Sequence, residues 1–91
     1  MPLSRLYASS RIGAEAHCNL GVAYGKLGRY QDAIEAYKQA IRIKPDYAEA
    51  HNNLGVTYLQ TGDKGLALEE YKILKTLDAE LANKLFNLIY K

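Results

Sequence analysis

Three evenly spaced asparagines are the residues of this chain best suited to bind another polypeptide. Asn19, Asn53 and Asn87 follow one another at intervals of 34 residues. A side-chain amide both donates and accepts hydrogen bonds, so a row of amides can pair with the backbone of an extended peptide whatever its sequence. Such a row requires three stacked helices, one for each asparagine. The alternative interpretation is that asparagine is simply common at this position and contacts no ligand.

The two histidines are the other candidates for chemistry. His17 and His51 are also 34 residues apart, with Glu15 and Glu49 beside them. On successive stacked helices, whose packed axes lie about 8–10 Å apart, their nitrogens would not come within the ~2 Å of one ion that a metal site needs. We therefore expect packed or partly exposed histidines and predict neither a metal nor another cofactor.

Catalytic arrangements are also poorly supported. Cys18 is adjacent to His17, and neighbouring residues of a helix do not face each other. The serines, at positions 4, 9 and 10, are far in sequence from both histidines, and no glycine-rich phosphate-binding loop occurs. We predict that the protein is not an enzyme.

The elements that must position these side chains are helices, because the chain repeats itself. The segment AEAHCNLGVAY at 14–24 returns as AEAHNNLGVTY at 48–58, with nine of eleven residues identical. Self-similarity at a fixed period indicates stacked copies of one supersecondary unit. We predict one repeat at 14–47, a second at 48–81, and an irregular segment at 1–13.

Apolar residues recur every three to four positions, which is typical of amphipathic helices. Breaks at Gly28, Lys44-Pro45, Gly62 and Asp78 divide the chain into five predicted helices, with no strand. These helices are expected at about 14–27, 30–43, 46–61, 64–77 and 80–90. Residues 82–91 form the C-terminal part of the last one, a capping helix.

Two glycines in helix interiors predict close contacts between helices. Gly21 and Gly55 each cost about 1 kcal/mol relative to alanine in a helix, so their repetition indicates positions where a Cβ does not fit. We expect large residues to fill the adjacent spaces, namely the pairs Tyr24/Tyr58 and Tyr37/Tyr71.

The pattern of both copies resembles the tetratricopeptide repeat, a helix–turn–helix unit of about 34 residues. The first copy matches at Leu20, Gly21, Tyr24, Gly28, Tyr30, Ala33, Tyr37, Ala40 and Pro45. The second matches at Leu54, Gly55, Tyr58, Gly62, Ala67 and Tyr71. The chain departs from the family at Leu74 and Ala79, and has His17 and His51 where the family favours tryptophan. The resemblance implies an all-α solenoid of antiparallel helix pairs.

The resemblance also implies an adaptor that holds a peptide or partner protein on a concave face lined by the first helix of each repeat. That face is expected to carry Glu15, Cys18, Leu59, Asn83, Phe86 and Tyr90 together with the principal candidates for partner binding. Those candidates are Asn19, Val22, Lys26, Glu49, Asn52, Asn53, Val56, Gln60 and Asn87.

Composition narrows the classes of partner and compartment. Twelve Lys and Arg against ten Asp and Glu give a net charge of +2, which is too small to predict nucleic-acid or membrane binding. No apolar run approaches the roughly 18 residues of a membrane helix. The single cysteine excludes an internal disulfide and fits a reducing compartment, so we expect a cytoplasmic protein.

The C-terminal helix has more apolar residues than a cap requires. Leu85, Phe86, Leu88, Ile89 and Tyr90 fall within six positions, and a helix cannot turn all of them toward one neighbour. Surplus apolar surface indicates either self-association or membership of a longer repeat array. The alternative function is therefore a structural unit that forms homo-oligomers through its end helices, with Phe86, Ile89 and Tyr90 as the contact residues.

Overall fold

The computed structural model describes residues 11–91, and the regular structure of that part of the chain is entirely helical. The helices are α1 Arg11–Lys26, α2 Tyr30–Ile43, α3 Ala48–Gln60, α4 Lys64–Leu77 and α5 Ala79–Ile89. This architecture of five helices confirms the predicted all-α fold class, and α2 and α4 have the predicted bounds.

The start of α1 differs from the prediction. Residues 11–13, assigned to the irregular segment 1–13, are helical, whereas residues 1–10 of that segment lie outside the described residues. Gly13 and Ala14 are both buried, so packing extends the helix beyond the point at which the repeat pattern begins. Tertiary contacts of this kind outweigh local signals.

The turns between helices use the residues that the sequence singled out. Gly28 and Gly62 have φ values of 77° and 85°, a left-handed conformation that glycine adopts without a Cβ penalty. The Asp63 carboxylate accepts from the Leu66 N–H at 3.0 Å, and Asp78 accepts from Leu81 N–H at 3.1 Å. Side-chain caps of this type satisfy a donor that the first turn leaves unpaired.

The turn between the repeats is longer than the predicted helix start at residue 46 allows. Pro45 lies in this turn rather than in the first turn of a helix. The Tyr47 N–H donates to the Lys44 carbonyl at 3.0 Å, so α3 begins only at Ala48.

Each helix packs against its neighbours in sequence, and α3 also contacts α5. The core is continuous through both repeats, and its central residues are small or branched. Its buried members are Cys18, Ala33, Ile34, Tyr37, Ala40, Ala50, Leu54, Tyr58, Ala67, Leu74, Ala82, Leu85 and Ile89. No helix within residues 11–91 combines the length and the apolar character needed to cross a bilayer.

The two helix-interior glycines do mark close approaches, although to different partners. A Cβ built on Gly21 would lie 2.5 Å from the Tyr37 ring, as expected from their pairing. A Cβ on Gly55 would instead lie 2.8 Å from Leu85 Cδ2 of α5. The expected equivalent, Tyr71, packs against Phe86, with ring centroids 5.4 Å apart.

Candidate functional site

The three asparagines lie at matching positions of α1, α3 and α5 but in unequal surroundings. Asn19 and Asn87 are exposed, whereas Asn53 is half-buried. The Asn53 amide donates to the Cys18 sulfur at 3.8 Å, and a thioether or thiol sulfur is a weak acceptor. Asn53 therefore lies at the centre of the face formed by α1, α3 and α5, which we call the first-helix face, with its amide directed toward Cys18.

A cavity of about 360 Å³ lies between α1 and α3 on this face. We call it the valine chamber, because Val22 and Val56 line it from the two helices. The structure brings five predicted residues to it and adds three that the prediction missed. The predicted ones are Val22, Lys26, Asn53, Val56 and Gln60, and the additional ones are Gly25, Tyr37 and Thr57.

Of the residues missed in the valine chamber, Thr57 could be found from the sequence and Tyr37 could not. Thr57 follows Asn53 by four positions, which places both on one stripe of the helix. Tyr37 belongs to α2 and reaches the chamber only because Gly21 leaves room for its ring. Burial raises the pKa of Tyr37 to about 12, so its hydroxyl remains a neutral hydrogen-bonding group.

A second cavity, of about 480 Å³, lies between α3 and α5. We call it the carboxylate chamber, because three acidic side chains line it. Its lining comprises Ala48, Glu49, Asn52, Asn53, Asp78, Glu80, Leu81 and Lys84. Glu49, Asn52 and Asn53 were predicted, whereas Ala48, Asp78 and the three residues from α5 were not. Asn53 lines both chambers and joins them.

Cys18 was expected on the binding face but belongs to the core. It is 2% exposed, and burial is the largest cause of the raised pKa of its thiol. Nearby Glu49 also raises this pKa, while hydrogen bonds from Tyr47 and Asn53 oppose the increase. A buried, protonated thiol is a poor nucleophile, and Cys18 packs in the core while its sulfur accepts the weak hydrogen bond from Asn53.

The predicted self-association residues of α5 separate into two groups. Ile89 is 6% exposed and part of the core, so this prediction was wrong for Ile89, because one face of α5 packs on α4 and α3. Phe86 and Tyr90 are exposed, with ring centroids 4.8 Å apart. The Lys64 ammonium lies 4.8 Å from the centroid of Tyr90, a cation–π distance.

The two histidines occupy equivalent positions but have different partners. His51 is buried, with Nδ1 2.6 Å from Glu70 Oε1 and Nε2 2.8 Å from the Pro45 carbonyl. Both partners accept hydrogen bonds, so the doubly protonated ring satisfies both. Burial by itself lowers the pKa of His51, but the bonds to Glu70 and Pro45 and the Glu70 charge together raise it above its usual value.

His17, in contrast, makes no side-chain hydrogen bond within residues 11–91, because the place of Glu70 is taken by Ala36 in the first repeat. No group of three or more His, Cys, Asp or Glu side chains in the same residues could hold a metal ion.

Comparisons with known families agree with this architecture. A family model described as TPR repeat matches residues 26–62, and one described as tetratricopeptide repeat matches residues 48–80. A search of curated proteins found no significant match. The two family matches together span α2, α3 and α4, and the chain belongs to the tetratricopeptide-repeat family.

Proposed function

Because tetratricopeptide repeats generally mediate protein–protein interaction, we propose that this chain is a non-catalytic adaptor whose first-helix face holds a peptide segment of a partner protein. The observation that carries the proposal is the pair of chambers joined at Asn53. One chamber offers apolar contact and the other offers charge, while the amide between them can pair with a peptide backbone. We take this face to be the predicted binding surface.

The valine chamber supplies the apolar contact. Val22 and Val56 stand on opposite helices with Tyr37 at the base of the space between them. Burying one aliphatic side chain of a ligand there contributes about 1.5–3 kcal/mol. A partner segment therefore binds with an aliphatic residue directed between α1 and α3.

The carboxylate chamber supplies the charge selection. Glu49, Asp78 and Glu80 line it with a single basic residue, Lys84. The Asp78 carboxylate is already bonded to the N–H of Leu81, which leaves Glu49 and Glu80 to attract a ligand. A neutral or basic residue of the partner suits this chamber better than an acidic one, because like charges repel.

Peptide-library selection on the immobilised protein tests the proposal. Peptides that bind the wild type are then titrated against Val56→Glu, with Ile73→Glu as the matched control on α4, outside both chambers. We expect Val56→Glu to weaken binding at least about tenfold, equivalent to ~1.4 kcal/mol, and Ile73→Glu to leave it unchanged. Equal affinity of both variants for every selected peptide would contradict the assignment.

Asn53→Ala tests the contribution of the amide separately. Loss of one peptide hydrogen bond costs about 0.5–1.5 kcal/mol, so affinity is expected to fall about two- to tenfold. Asn19→Ala and Asn87→Ala are the controls, because these exposed asparagines line neither chamber. A similar loss at all three positions would favour a full asparagine ladder over a contact centred on Asn53.

Self-association is the second candidate function, and the exposed rings of Phe86 and Tyr90 favour it. Sedimentation over a wide concentration range distinguishes the two functions. A self-assembling unit forms larger species without any peptide, and Phe86→Ser reduces them. A monomer at all concentrations supports the adaptor function alone.

A further inference from the structure

The valine chamber contains a hydroxyl group that is available to a ligand. Tyr37 is 4% exposed and lines the chamber. Its hydroxyl makes no hydrogen bond within residues 11–91, whereas every fully enclosed polar side-chain atom of the same residues has a partner. The Tyr37 oxygen therefore opens into the chamber, where a bound peptide can pair with it and remove the cost of leaving a buried polar group unpaired.

The two chambers differ in the sign of the charges beside them. Of the described residues that line the valine chamber, only Lys26, at the end of α1, is charged. Lys26 is exposed and forms no ion pair within residues 11–91. In the carboxylate chamber, Glu49 and Glu80 are exposed and lie in the first turns of α3 and α5. The first-helix face is thus positive beside the apolar chamber and mainly negative beside the other.

The spacing of the two chambers sets the length of a peptide that reaches both. Along α3, the valine chamber is lined from Asn53 to Gln60 and the carboxylate chamber from Ala48 to Asn53. The midpoints of these segments are about six residues, or ~9 Å, apart along the helix axis, and about one helix spacing of 8–10 Å apart across it. The chamber centres are therefore about 13 Å apart, which an extended chain covers in about four residues at roughly 3.3 Å each.

Building on the adaptor function proposed above, we propose that the first-helix face selects a peptide by the order of its charges. An acidic residue lies beside Lys26, an aliphatic residue fills the valine chamber, and a basic residue about four positions further along enters the carboxylate chamber. The Tyr37 hydroxyl donates to a backbone carbonyl beside the aliphatic residue. A peptide with the opposite order of charges would bring like charges together at both ends, and like charges repel.

The same charges also complement the helix dipoles, because Lys26 is in a last turn and Glu49 and Glu80 are in first turns. The repeat shows that this effect does not require the lysine. Gln60 is the residue of α3 that is equivalent to Lys26, and α3 ends there without a basic side chain in its last turn. A role in the helix dipole would affect stability, whereas selection of a peptide would affect affinity.

The chain's own residues 1–10 fit this order of charges poorly. Arg5 is their one charged side chain, and they include no acidic residue that could pair with Lys26. Within residues 11–91, only short turns join the helices, so a second copy offers no extended segment of the required length from this part of the chain. A separate partner with both charges is the better occupant.

Two peptide libraries that differ only in the order of charges test the proposal. Both consist of peptides blocked at each end, with a central leucine and randomised neutral residues elsewhere, and both are made in the two chain directions. The matched library has glutamate about two positions from the leucine and arginine about four positions away on the other side, and the exchanged library has these two residues interchanged. We expect the matched library to yield at least about tenfold more binders to the immobilised protein at low salt, where exposed charges interact most strongly.

A binder from the matched library is then titrated against variants with reversed charge. Lys26→Glu is expected to weaken its binding at least about fivefold and to improve the binding of exchanged peptides. Lys38→Glu is the control on α2, outside both chambers, and should change neither by more than about twofold. Glu49→Lys should shift the preference in the same way, with Glu15→Lys as its control, because Glu15 is the equivalent residue of α1 and lines neither chamber.

Tyr37→Phe tests the hydroxyl and is expected to weaken the matched binder about two- to tenfold, as for one hydrogen bond, without lowering the melting temperature. Equal numbers of binders from both libraries would overturn the proposed order of charges and leave the adaptor function standing, whereas no binders from either library would overturn both. An unchanged preference in Lys26→Glu would also overturn the order of charges. Displacement of the matched binder by an equal concentration of a peptide copying residues 1–10 would identify the chain's own segment as the occupant and overturn the assignment to a partner.

Discussion

Helices α1 and α3 carry nearly the same residues but have different environments. From Ala14 to Tyr24 and from Ala48 to Tyr58, only two of eleven positions differ. Nevertheless, Leu20 is half-exposed and Leu54 is completely surrounded. A repeat therefore specifies which side chains are suited to packing, and the neighbouring helices decide which of them are packed.

The two repeats also differ in the polar contacts of their equivalent histidines. Glu70 reaches His51 in the second repeat, and the corresponding position in the first is Ala36. This one difference gives His51 a carboxylate partner that His17 lacks, while the Pro45 carbonyl of the preceding turn contacts the other nitrogen of His51.

Truncation of the equivalent leucines gives the largest expected difference between the repeats. Leu54→Ala removes a buried side chain and leaves a cavity, which typically costs about 2–5 kcal/mol. Leu20→Ala is expected to cost less than about 1 kcal/mol, because much of the side chain already contacts solvent. Urea denaturation followed by circular dichroism measures both. If both variants lost the same free energy of unfolding, the surface of α1 around Leu20 would be buried in solution.

The histidine pair gives the next difference. Glu70→Ala leaves a buried imidazole without its carboxylate, and we expect a loss of about 2–3 kcal/mol, within the usual penalty for an unpaired buried group. Ala is already present at the equivalent position 36, so His17→Ala is the control in the first repeat and is expected to change stability by less than about 0.5 kcal/mol. If Glu70→Ala left the free energy of unfolding unchanged, this result would contradict the proposed ion pair.

Adding a methyl group at each buried glycine compares the two close approaches. Gly21→Ala places a Cβ against the Tyr37 ring, which is itself buried, and is expected to destabilise by about 1–2 kcal/mol. Gly55→Ala meets Leu85 Cδ2 at 2.8 Å and Glu70 Cβ at 3.3 Å. Leu85 is also buried, but its terminal methyl groups shift more readily than a rigid aromatic ring, and the gain in helix propensity of about 1 kcal/mol offsets much of the crowding. The melting temperature should fall clearly only for Gly21→Ala. A larger decrease in melting temperature for Gly55→Ala would show that Leu85 moves away from an added Cβ less readily than Tyr37 does.

The pH dependence of stability is the smallest expected effect. Because the pKa of His51 is raised in the folded state, its stabilising contribution is fully present below the unfolded pKa of about 6.5 and is lost as pH rises through the folded value. The melting temperature of the wild type should exceed that of Glu70→Gln most below pH ~6.5, and the gap should narrow as pH rises through the raised folded pKa of His51. A gap that widens with increasing pH would contradict the charged His51–Glu70 pair.

The regular part of the fold follows from the sequence because it depends on local signals. Gly28 and Gly62 end helices through their backbone conformation, and Asp63 and Asp78 cap the next ones. These signals act within a few residues, so a periodic pattern is enough to find them. The helical residues 11–13 escaped prediction because their helix depends on packing.

The site was less predictable because its residues come from several helices. Val22 and Val56 were found through the repeat, whereas Tyr37 enters the valine chamber from α2 and Lys84 enters the carboxylate chamber from α5. Repetition identifies what two copies share, and Glu70 lies at a position where they differ. Ile89 was assigned to the surface because the composition of α5 does not specify which face packs on α4.

The most direct test of the adaptor account is amide chemical-shift mapping of a library-selected peptide on the ¹⁵N-labelled wild-type protein. The account predicts the largest shifts at Val22, Asn53 and Val56, with smaller ones at Glu49 and Lys84, and little change along the exposed side of α2 and α4. Shifts confined to α2 and α4, with the first-helix face unchanged, would contradict it.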